Sequence, residues 1–132
     1  MENEKKLAES KLFTPYKLGS TTLRNRVIRS AAFESMGKDF APTQALKDYH
    51  VSVAKGGVGM TTVAYASINR SGISFNKQLW LRDEIVPALR DLTDAVHNEG
   101  AAVGIQLVAS RSCSLFTYVL SIAAIYYKFS YN

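Results

Sequence analysis

The residues able to do chemistry stand at the ends of apolar runs. Gln106 closes the run Ala101-Ala-Val-Gly-Ile-Gln-Leu107. Its amide donates and accepts side by side, which complements a pyrimidine-type edge offering a carbonyl next to an N–H. The same group would equally satisfy a buried loop carbonyl. Ser30, Ala31 and Ala32 are small, so a flat ring can lie on their backbone and bond its amides. Ala64 and Tyr65 close a β-branched run. These three places matter because parallel α/β proteins gather ligands at the carboxyl ends of their strands.

Other reactive types fit worse. His50 and His97 both fall on expected helices, where packing or surface roles are the rule. Cys113 is a lone thiol in an apolar tail, with Arg111 the group nearby that could lower its pKa, and it reads as unreactive. No set of residues has metal-ligand spacing. Gly56, Gly57 and Gly59 precede a strand rather than a helix, the wrong order for anion binding at a helix N-terminus, and read as a helix stop.

The elements that must position these groups follow from periodicity and punctuation. Residues 12–18 and 21–23 flank Gly19-Ser20 as two short strands around a turn. Residues 26–30 read as the first buried strand. A helix follows, capped by Thr43 behind Pro42, with Leu46, Tyr49, Val53 and Ala54 at helical spacing and Gly56-Gly57 ending it. Residues 58–64, β-branched and uncharged, read as a strand covered on both faces. A loop leads to Leu79-Trp80-Leu81. The second helix has Asp83 and Glu84 near its start, Pro87 in its first turn, and Leu89, Leu92 and Val96 on one stripe before Gly100. Residues 101–107 make the third strand. Strands alternating with helices mean a parallel α/β sheet. Pattern alone leaves open whether it closes into a barrel or opens into a doubly wound layer.

Composition divides the 132 residues in two. Residues 1–107 hold all eight glycines, all three prolines and all eleven acids, whereas residues 108–132 hold none of these and carry six of the fourteen aromatics. The chain therefore reads as a domain portion, 1–107, and an unmatched apolar tail, 108–132, with the look of translation out of frame or a splicing fault. The net charge of +5 comes from basic residues scattered among acids, without the stripe a nucleic-acid footprint needs. A single cysteine and a polar N-terminus without an apolar run behind it point to a cytoplasmic protein. The apolar stretch 115–127 falls short of the roughly 20 residues of a spanning helix, so a membrane anchor is disfavoured.

Six blocks in order resemble the N-terminal signature of the Old Yellow Enzyme family of FMN-dependent NAD(P)H:flavin oxidoreductases. They are Leu12-Phe-Thr-Pro-Tyr-Lys-Leu-Gly19, Leu23-Arg-Asn-Arg-Val-Ile28, Gly56-Gly-Val-Gly59, Leu79-Trp80, Leu92-Thr-Asp-Ala-Val-His-Asn-Glu-Gly100 and Gln106-Leu107. The resemblance implies the N-terminal portion of a (β/α)8 TIM barrel, about three βα units behind a hairpin. It implies FMN as cofactor, NAD(P)H as reductant, and a small electron-poor acceptor of the α,β-unsaturated carbonyl type. By position, Ser30, Ala31, Ala32, Tyr65 and Gln106 look like flavin-contacting residues, with Ala64 next if the register is off by one.

The family usually continues after Gln-Leu with a His-x-Gly-Arg type segment, and here Val108-Ala-Ser-Arg111 stands instead. Its substrate-anchoring His pair, proton-donating Tyr and phosphate-binding Arg and Gly have no match in this chain, so no catalytic residue is assigned. Two other readings stand beside the enzyme: a fragment without independent function, and a protein that binds a partner or membrane through its tail.

Overall fold

The computed structural model describes residues 10–109 and the strand Leu120–Ile125. Strands β1 (Tyr16–Leu18) and β2 (Thr21–Leu23) pair antiparallel around Gly19, whose φ of 59° suits the turn. The first strand starts later than residue 12, because residues Lys11–Phe13 form a 3₁₀ turn capped by Ser10.

The main sheet runs in the order β3-β4-β6-β7, with β3 Ile28–Arg29, β4 Met60–Ser67, β6 Ala102–Ala109 and β7 Leu120–Ile125. The strands β3, β4 and β6 are mutually parallel, as expected for βαβ units. A fifth strand, β5 (Leu79–Trp80), pairs parallel with the end of β4 at Ala66↔Leu79.

Three sequence expectations are corrected here. The first strand is two residues long rather than 26–30, and Ile28 is 46% exposed rather than buried. The second strand begins at Met60 and runs on to Ser67, past a register break. The third strand runs Ala102–Ala109 rather than 101–107, and β7 pairs antiparallel with it from Ile105↔Ile125 to Ala109↔Leu120.

Helix α1 (Gln44–Lys55) begins where Thr43 Oγ1 accepts the Leu46 N–H at 3.2 Å. The same hydroxyl donates to the Met36 carbonyl at 2.6 Å. It ends at Gly56, and Gly57 takes a φ of 97°. Its buried stripe is Leu46, His50 and Ala54, one residue per turn, so His50 occupies a core position that the expected stripe gave to Tyr49 and Val53. Helix α2 (Val86–Asn98) carries Pro87 in its first turn, with Asp83 and Glu84 in a preceding 3₁₀ turn. Leu92 and Val96 face inward.

The core lies between the two helices and the sheet, built from Leu46, Ala54, Val63, Ala66, Leu79, Leu92 and Val96. Replacing Thr43 with Ala should cost about 1 kcal/mol through the lost cap. A urea titration in which the midpoint falls while the slope stays constant would verify it.

Candidate functional site

β3, β4 and β6 run the same way; Ser30, Ala31 and Ala32 follow the end of β3, whereas Tyr65 and Gln106 lie inside β4 and β6, two and three residues short of their ends. The pairing of β4 with β6 reads Val63↔Ile105 and then Ala66↔Leu107. Two residues of β4, Ala64 and Tyr65, thus stand opposite the single residue Gln106. This is a β-bulge, a device that re-aims side chains and is frequent beside active sites.

Val63, Ile105 and Leu107 pack towards the helices. By alternation Gln106 therefore presents its amide on the opposite face. Gly104, two residues earlier on that face, is closed over by Met60, whose Cε would lie 2.6 Å from a Cβ placed there.

Ser30, Ala31 and Ala32 leave the sheet after the last pair of β3, Arg29↔Thr61, and continue as irregular, largely exposed backbone. Phe33 brings this loop against β4, its ring centroid 5.2 Å from that of Tyr65 and 5.2 Å from that of Phe75. Partial burial holds the Tyr65 hydroxyl above the ordinary phenol range, so it stays protonated at neutral pH.

Sequence reasoning missed Glu34. Its side chain is 2% exposed and lies 2.5 Å from Arg29 Nη1. The second oxygen accepts the backbone N–H of Ala64 at 3.1 Å. His50 reaches the same carboxylate from α1, its Nε2 3.4 Å from Oε1, while its Nδ1 lies 2.8 Å from Thr61 Oγ1. Burial would raise the Glu34 carboxyl, but contacts from His50, its own backbone and Arg29 together hold it below the ordinary 4.5. A signal existed: His50 sits four residues from both Leu46 and Ala54, on a stripe that should be apolar.

His97 is exposed on α2. Cys113 and Arg111 lie outside the described residues. Among the described residues no three His, Cys, Asp or Glu come together as a metal site, and no helix is long and apolar enough to cross a membrane. A cavity of about 350 Å³ lies on the other side of the sheet, lined by Leu89, Leu92, Val103, Ile105 and Leu107. It is an apolar gap beside α2 with Arg82 and Asp83 the charged residues in its lining, and none of Ser30, Ala31, Ala32, Ala64, Tyr65 and Gln106 lines it.

Comparison with known proteins agrees with this fold. The profile of the NADH:flavin oxidoreductase / NADH oxidase family matches residues 11–116, which takes in the first nine residues of the tail. The chain is 42% identical over 96 residues to the 4,4'-dithiodibutanoate disulfide reductase of Rhodococcus erythropolis, covering 73% of this chain and 24% of that protein. It is 37% identical over 123 residues to the NADPH dehydrogenase of Listeria welshimeri, covering 89% of this chain and 36% of that one. The crystal structure of Old Yellow Enzyme from Pichia sp. AKU4542 superposes with a TM-score of 0.70 at 22% identity, over 76% of this chain and 27% of that one. The chain thus spans about a quarter to a third of the length of these relatives, and its fold is the N-terminal portion of their barrel.

Proposed function

From the premise that the chain belongs to the NADH:flavin oxidoreductase / NADH oxidase family, we propose that it is the flavin-ring-binding portion of an FMN-dependent NAD(P)H oxidoreductase of the Old Yellow Enzyme type. The observation that carries this is the opposition of Gln106 to the Ala64–Tyr65 bulge, with the small-residue backbone of Ser30, Ala31 and Ala32 in the loop that follows the neighbouring strand β3.

The residues suit the group. Ser30, Ala31, Ala32 and Ala64 carry no bulk that would keep a flat ring from main-chain amides, and Gln106 can bond a carbonyl and an adjacent N–H together. FMN, when bound, supplies the two-electron chemistry, taking a hydride from NAD(P)H and giving one to the acceptor. The chain's own part is to hold the ring, orient its pyrimidine edge and exclude water. Phe33, Tyr65 and Phe75 serve the last task, and the protonated Tyr65 hydroxyl remains available as a hydrogen-bond donor.

The acceptor we favour is an electron-poor alkene of the α,β-unsaturated carbonyl type. A disulfide acceptor is the second reading, prompted by the likeness to the Rhodococcus disulfide reductase. Turnover of an enone against a linear dithiodicarboxylate, assayed in a full-length protein carrying this segment, separates the two.

Replacing Gln106 with Leu should weaken FMN binding about 10- to 100-fold, since two hydrogen bonds of about 0.5–1.5 kcal/mol each are lost. Quenching of flavin fluorescence on titration measures it. An unchanged dissociation constant would assign Gln106 to the structure alone.

A further inference from the structure

We infer that Arg29, Glu34 and His50 form a buried latch that holds the loop after β3 against the bulge of β4, which makes Glu34 a positioning residue for the flavin-facing backbone. This rests on the flavin reading above.

One carboxylate joins the two backbone segments assigned to the flavin. Glu34 Oε2 takes the Ala64 N–H directly, at the register break where β4 and β6 fall out of step. Glu34 Oε1 meets Arg29 Nη1, and the same nitrogen donates to the Thr62 carbonyl at 2.7 Å. Arg29 Nη2 reaches back to the Ala32 carbonyl at 3.2 Å. The loop is therefore tied to β4 from both sides, through its carbonyl and through its acid.

The helix completes the arrangement. His50 Nε2 makes no hydrogen bond among the described residues and lies 3.4 Å from the carboxylate. The Arg29 guanidinium also stacks on the Tyr49 ring, 5.1 Å from its centroid. The groups facing Glu34 are thus Arg29 from β3, His50 from α1 and the Ala64 amide from β4, with the Thr61 hydroxyl on the other ring nitrogen of His50. A bulge frees a backbone N–H that must find an acceptor when buried. A buried charge set of this kind holds only while every member is in place. An ion pair serving stability alone has no need to bond the bulge amide and, through Arg29, the loop carbonyl.

The sign with pH follows. The carboxyl is held below its ordinary value of 4.5, so the latch is intact above that range and opens as pH falls through the folded-state value.

The test uses the 132-residue chain and two readouts, amide hydrogen exchange and FMN titration. Glu34→Gln should lower the protection of the Ala64 amide about tenfold or more while that of Val96 in α2 holds. FMN affinity should fall about tenfold. It should also lose its acid dependence: the wild-type chain binds FMN more weakly as pH falls through the carboxylate range, and the variant does not. Should the variant unfold, the wild-type chain alone decides, since on acidification Ala64 must lose protection before Val96. Loss of protection at both residues together, or an Ala64 amide indifferent to the substitution, would overturn the latch. Failure of the wild-type chain to take up FMN while Ala64 responds as expected would overturn instead the flavin reading on which it rests.

Discussion

Arg24→Met should lower the unfolding free energy by about 3–5 kcal/mol. Arg24 spreads its guanidinium over three carbonyls, of which Ala54 O also accepts the Gly57 N–H at 2.9 Å. Nε bonds Val58 at 2.9 Å, Nη1 bonds Glu99 at 2.8 Å and Nη2 bonds Ala54 at 2.5 Å. Two of these carbonyls close the ends of α1 and α2, where unsatisfied groups and the negative pole of the helix concentrate. The third lies two residues before β4. Charge-assisted bonds to groups partly shut off from water are worth about 1.5–3 kcal/mol each, and losing them together is less than additive. Methionine keeps the apolar stem, so a fall in urea midpoint reports the donors rather than the packing. A change below about 1 kcal/mol would mean that water replaces the guanidinium freely.

Gly59→Ala should cost about 3 kcal/mol, by a different route. A Cβ at this position would lie 2.4 Å from the Asn25 carbonyl oxygen and 2.9 Å from its Oδ1. Neither can retreat. The Asn25 side chain is held by a bond to Gly57 O at 2.7 Å and by the Val27 N–H at 3.0 Å. Gly59 is itself bonded on both sides, donating to Val27 O and accepting from the Ala102 N–H, each at 2.9 Å. The substitution would force apart the strands that carry the site. Gly56→Ala is the control. Its φ is −66° and its nearest neighbour would be 3.2 Å away, so it should change stability by about 1 kcal/mol or less. Equal losses for both variants, in thermal or urea unfolding, would dismiss close approach as the reason for Gly59.

These two positions show where the sequence was legible and where it was not. The three closely spaced glycines read as one helix stop, yet Gly57 alone of them has the positive φ that a stop requires, and Gly59 answers to the backbone and side chain of Asn25, 34 residues earlier. Both helices were readable because caps and stripes are local: Thr43 before Leu46, Pro87 before Leu92. The end of β4 was not, because a bulge breaks the alternation that marks a strand, and β5 at two residues is too short to carry a period. Ser30, Ala31, Ala32, Tyr65 and Gln106 were read as strand-end candidates; the first three follow the end of β3, while Tyr65 and Gln106 face each other inside β4 and β6, two and three residues short of their ends. Glu34 was missed because its partners Arg29, His50 and Ala64 come from a strand, a helix and another strand, a pairing that exists in space alone. The antiparallel β7 was missed because its residues, Leu120–Ile125, sit in a run read by composition rather than by pairing.

The central place of β4 has a consequence for how the chain comes off the ribosome. Its partners are distant in sequence: Ile28 pairs with Met60, and Met60 in turn with Ala102. Parallel contacts of this range close a long loop before they return any energy, and they form slowly. At about 5–20 residues per second, β4 waits some seconds for β6 to be made. Over that interval its edge and the apolar underside of α1 are uncovered, open to pairing with other chains before their native neighbours exist.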